Sequence, residues 1–169
     1  MYSWLKRFLA LTLFATLAAC GGGDDDPHPV NIVETAKADL RFGILIEAVT
    51  AAGLDNALAG PGPFTLFAPT DDAFGALLSE LGLTKAGLLA DKALLTTVLK
   101  YHVLAGKVVK ADVPAGKAIT PLEGGIFKVD AVGAELVITD RRTRTSKITT
   151  TDLAASNGVI HVIDRVLLP

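Results

Sequence analysis

The residues that could do chemistry are few and scattered. Cys20 is the single thiol, alongside three His. A lone Cys cannot close an intramolecular disulfide or build a Cys-based zinc site. Tyr101 and His102 are adjacent, and buried polar tips of that kind need hydrogen-bond partners. His161 lies in an alternating stretch between Val159 and Ile163. As a metal ligand it would have only His102 as a second domain His, so a core, hydrogen-bonding histidine is the favoured reading. Asp71 and Asp72 are neighbouring carboxylates. They read either as an acid–base pair or as charges at the positive end of a helix, and helix-start electrostatics already accounts for both. Arg141, Arg142, Arg144 and Lys147 make the one basic run, which reads as a site for anionic glycan, lipid headgroup or acidic protein, or as a solvated loop. Gly-x-Ser-x-Gly elbow, Walker loop and Cys-His nucleophile are all missing from the sequence. The expectation is a non-enzyme with no cofactor and no metal.

The context of Cys20 gives it a different purpose. Lys6-Arg7 is a short positive region, and Phe8 to Leu17 is an apolar run shorter than the roughly 20 residues a membrane span needs. Leu17-Ala18-Ala19-Cys20 resembles the lipobox of bacterial lipoproteins, in which a peptidase cuts before the Cys and the thiol receives diacylglycerol. Two or three acyl chains give a stable anchor, where one holds marginally. Residues 1–19 therefore read as a lipoprotein signal peptide. Residues 20–29 read as the lipidated Cys and a flexible tether, since Gly21 to Pro29 has nothing apolar to bury. The Asp24-Asp25-Asp26 triplet lacks the further ligands of a calcium site and reads as spacer. The expected location is across the inner membrane, lipid-anchored to the envelope, on the outer membrane if the source is Gram-negative.

Residues 30–169 must supply the folded unit. The 169-residue chain is half hydrophobic and one-fifth charged, with formal net charge −2, so it can build a core and offers no basic field for nucleic acid. Asn31 with Glu34 reads as a capping box ahead of Ile32, Val33 and Ala36. Phe42, Leu45, Ile46 and Val49 predict a helix over 40–52, closed by Gly53. Gly60-Pro61-Gly62-Pro63 is a turn cluster before a buried strand, 64–68. Thr70 caps a helix carrying Phe74, Leu77, Leu78 and Leu81. A further helix, 91–101, brings Tyr101 and His102 to the border of the face that holds Val98. From Lys107 the texture becomes β-rich: 108–109, 118–119, 126–131, 135–139, 147–151 and 159–166, with Gly133 and the hairpin signal Asn157-Gly158 as punctuation. Helices first and strands second predict α+β. Asp164 and Arg165 could pair at a strand end.

Three segments together resemble the fasciclin domain (beta-Ig-H3) family. They are Thr65-Leu66-Phe67-Ala68-Pro69-Thr70-Asp71-Asp72-Ala73-Phe74, Tyr101-His102-Val103-Leu104 with Gly106-Lys107-Val108, and Asn157-Gly158-Val159-Ile160-His161-Val162-Ile163-Asp164 through Pro169. The resemblance covers residues 30–169 and implies a helical layer packed on a β-wedge or sandwich of short strands. It also implies adhesion or extracellular contact, with an unidentified protein or polysaccharide of envelope, matrix or host surface as partner. Tyr101, His102, Val103 and Leu104 fall where the family's integrin contact is proposed. The competing reading makes Tyr101 and His102 internal staples. A second functional reading is a periplasmic carrier holding a small hydrophobic ligand between the two layers.

Overall fold

The computed structural model describes residues 30–169. Cys20, the expected signal peptide and the tether lie outside the described residues. Six α-helices occur among the described residues: α1 (Ile32–Ala38), α2 (Gly43–Ala52), α3 (Asp55–Ala59), α4 (Asp71–Leu81), α5 (Lys85–Ala90) and α6 (Lys92–Tyr101). Seven strands, β1 (Phe64–Pro69), β2 (Val103–Ala105), β3 (Ala118–Ile119), β4 (Phe127–Val132), β5 (Glu135–Thr139), β6 (Thr145–Ala155) and β7 (Gly158–Ile163), form one sheet in the order β2-β1-β7-β6-β5-β4-β3. β1 and β7 run parallel and the other pairs antiparallel. The architecture is α+β, a helical layer on a single curled sheet.

Alternation along the two parallel strands builds two cores. Leu66, Ala68, Ile160 and Val162 face the helices, beside Leu45, Phe74, Leu95 and Leu99. Phe67 and Ile163 face the other way, onto Phe127, Val129 and Ile138 of the curled arm. Both faces of β7 are buried, which is why it reads as a continuous apolar run.

Local chemistry sets the ends of the elements. Asn31 Oδ1 accepts from Glu34 N at 3.0 Å, and Glu34 Oε2 from Asn31 N at 3.3 Å, completing the capping box. The helix expected over 40–52 is divided. Leu40–Phe42 forms a 3-10 turn, capped by the Asp39 side chain, and leaves Leu40 94% exposed. Gly53 ends α2 at φ 69°, as expected of a left-handed cap. The segment 108–109 is not a strand. The Thr65 hydroxyl accepts from Val108 N and the His161 ring takes Val108 O, so side chains satisfy this backbone and no ladder is needed. α3, α5 and β2 lay below the resolution of periodicity, being three to six residues long.

Asn157-Gly158 works differently from the hairpin signal. β6 and β7 are joined through Ser156 and Asn157, with Ala155 paired to Gly158. Neither Asn157 nor Gly158 has positive φ. Gly158 is required because a Cβ would collide with the Phe64 carbonyl oxygen and lie 2.7 Å from Ile32 Cδ1. Asn157 is required for its amide. Its Nδ2 donates to Leu58 O at 2.7 Å and Gly60 O at 2.8 Å, and its Oδ1 accepts from Ile32 N at 2.9 Å. One side chain thus ties α1, the end of α3 and the β6–β7 turn.

Candidate functional site

Tyr101 and His102 close α6 with their side chains fully inside, and Val103 and Leu104 are buried behind them. These four residues present no surface to a partner, which corrects the expectation of direct contact. α6 carries its apolar stripe into the helical core, and the chain then reverses into β2, so the residues at the junction are enclosed by both layers. His102 Nδ1 lies 2.7 Å from Val98 O, and its Nε2 accepts from Leu167 N at 2.9 Å. The carbonyl requires a proton on Nδ1 and the amide requires a bare Nε2, so the ring is the neutral Nδ1–H tautomer. Burial depresses its pKa from 6.5 to about 4, partly opposed by the Val98 hydrogen bond and the Asp140 charge.

Tyr101 works at the opposite side of the junction. Its hydroxyl donates to Ile126 O at 2.6 Å and accepts from Arg141 N at 3.2 Å. Burial pushes the phenol above its ordinary range. The ring meets Phe127 edge-on at 5.7 Å between centroids, and Phe127 meets Phe67 at 5.4 Å.

His161 is likewise internal. Its Nε2 donates to Val108 O at 2.8 Å and its Nδ1 accepts from Asp152 N at 3.3 Å, with the ring tilted against Phe67. Both nitrogens are engaged with backbone, the arrangement of a core histidine. Asp152 holds φ 60° at an irregularity in β6, and its Oδ1 accepts from Lys110 N at 2.8 Å. Asp71 is more than a helix-start charge: its Oδ1 accepts from Ile44 N at 2.7 Å, so it caps α2 from the first turn of α4. Thr70 caps α4 itself, through Ala73 N. Asp164 does not pair with Arg165. Its Oδ1 accepts from Ser146 Oγ and Lys147 N, which locks the end of β7 to β6.

The basic run turns the corner between β5 and β6. Arg141 and Arg142 are exposed there. Arg144 corrects the reading of the whole run as a solvated loop. Its side chain is only 13% exposed, Nη2 reaches Glu80 of α4 at 2.9 Å, and Nε and Nη1 have no protein partner. Lys147 lies on β6 and pairs with Glu135 at 3.0 Å across the strands.

Asp140, just before the run, organises the tip. Its Oδ1 accepts from Arg142 N and Arg144 N, both at 2.9 Å, and its Oδ2 from Leu168 N at 3.1 Å. Asp140 belongs to no motif in the sequence. An Asp opening a polar turn between two strands was the available signal.

Beside this tip is a cleft of about 310 Å³, bounded by Ile126–Lys128 on β4 and its approach and by Thr139, Asp140, Arg141 and Thr143 on the other side. A separate apolar recess between α3, β1 and α6 measures about 130 Å³ and is lined by Leu54, Leu58, Phe64, Leu99 and Val103. Small-molecule pockets run to about 300–1,000 Å³, so this recess gives the carrier reading no support. Among the described residues, no three His, Cys, Asp or Glu gather as metal ligands, and no helix is long and apolar enough to cross a membrane.

The profile of the Fasciclin domain matches residues 40–169. The chain belongs to the fasciclin domain family. This fasciclin domain is 41% identical to protein sll1735 of Synechocystis over 82% of the chain and 97% of that protein. It is 32% identical to human periostin over 85% of the chain but only 16% of periostin. A solved fasciclin domain pair from the insect cell adhesion molecule Fasciclin I superposes with TM-score 0.74 at 16% identity, covering 83% of this chain and 51% of that one. The likeness to that pair is one of fold. The family is generally one of non-enzymatic adhesion domains.

Proposed function

We propose that this fasciclin domain is moored by a lipid on Cys20 to the cell envelope, on the outer membrane in a Gram-negative source. There it makes adhesion-type contacts with a protein or polysaccharide and catalyses nothing. One observation supports this reading above the others. The side chains with chemical potential are turned onto the protein's own backbone: His102, His161, Asp71, Asp140 and Asn157 each satisfy main-chain groups. The guanidiniums of Arg141 and Arg142 remain outside, on a turn fixed from beneath by Asp140 and Tyr101.

Two variants test the reading. Cys20→Ser releases the protein from membranes into soluble fractions; persistence in the membrane contradicts lipidation. Arg141→Glu with Arg142→Glu weakens association with envelope or matrix polymer in a salt-dependent way, with no change in melting. Association that is indifferent to both charge and salt removes the tip as the contact.

A further inference from the structure

The cleft beside the tip has chemistry of its own, and the inference rests on the adhesive reading. Its floor is apolar, with Ile126 53% exposed and Phe127 buried beneath. Lys128 and Arg141 are exposed on its two walls and form no ion pair within the described residues. Thr139, directly across the ladder from Lys128, and Thr143 add hydroxyls. The carboxylate that lines the cleft, Asp140, is turned inward onto three backbone amides. The cleft therefore presents cations, hydroxyls and an apolar surface while its own anion is withdrawn.

We propose that this cleft holds a segment of an acidic, uronate-type polysaccharide. The apolar face of a sugar ring lies on Ile126, and ring carboxylates meet Lys128 and Arg141. An extended peptide fits less well, because Lys128 already pairs with Ala118 on one side and Thr139 on the other, leaving no free strand edge to extend. Tyr101 is the positioning residue. Its single hydroxyl bonds to Ile126 O on one wall and Arg141 N on the other, and so fixes their separation. A residue with no surface thereby controls a surface site.

The test uses the full chain in detergent micelles with polygalacturonate as probe, and with neutral dextran and polyglutamate as comparisons. Polygalacturonate binds and dextran does not. Lys128→Glu and Arg141→Glu each weaken binding tenfold or more. Tyr101→Phe weakens it several-fold well below its melting temperature, whereas Asn157→Ala, a destabilising change remote from the cleft, leaves the affinity alone. Polyglutamate binding as tightly as polygalacturonate overturns the proposal in favour of an acidic peptide. Undiminished binding in Lys128→Glu or Arg141→Glu also overturns it. Tyr101→Phe behaving as Asn157→Ala overturns the positioning role. Failure here with envelope association intact leaves the adhesive reading standing; loss of both removes both.

Discussion

Acid loosens this domain through His102 before most carboxylates titrate. The buried ring is neutral, and its folded pKa of about 4 lies below the unfolded value of 6.5. Above pH 6.5 the ring is neutral in both states and the domain has its full stability. Between pH 6.5 and 4 the unfolded chain takes up a proton that the folded one refuses, so each pH unit removes about 1.4 kcal/mol. Over that window the loss is about 3 kcal/mol, and below pH 4 this contribution levels off. Stabilities of such domains are about 5–15 kcal/mol, so the loss is easily measured. Burial of the ring is the main cause, and a proton on Nε2 would also face the Leu167 N–H, turning an acceptor into a second donor. Urea unfolding followed by circular dichroism at pH 7.5, 6.5, 5.5 and 5.0 reads the slope. Nitrogen NMR of the ring reads the tautomer and its titration directly. His102→Gln removes most of the slope between pH 6.5 and 5. A folded His102 that titrates near 6.5, or carries its neutral proton on Nε2, refutes the reasoning whether or not the variant folds.

Gly158→Ala drives a methyl into the Phe64 carbonyl and Ile32; a loss above about 3 kcal/mol, or failure to fold, is expected in thermal melts. Asp140→Ala strips the acceptor from three amides, of which that of Leu168 is buried. It lowers stability by about 2–4 kcal/mol, and Asp140→Asn by less. Glu80→Ala takes the carboxylate from a guanidinium already short of partners and destabilises the domain by about 1–2 kcal/mol. Arg144→Met costs less than Glu80→Ala in the same denaturant titration, because it removes the ill-satisfied charge altogether.

The sequence by itself determined whatever depends on near neighbours in the chain. The capping box at Asn31, the Thr70 cap, the left-handed Gly53 and the α+β order follow from spacing and backbone preference alone. The three signature segments were also legible, and with them the family. Tertiary structure decided what each marked residue does, because its partner lies far along the chain. Asn157 bonds Leu58 and Gly60, Asp71 caps a helix that starts 28 residues earlier, and His102 meets Leu167. Gly158 is glycine because of Phe64, not because of its own φ. The same holds for the surface. Arg141 and Arg144 look equivalent in a basic run, yet the curl of the sheet leaves one outside and presses the other against α4. Burial and charge pairing are properties of three-dimensional neighbourhoods, and a one-dimensional pattern carries them only where the contact is local.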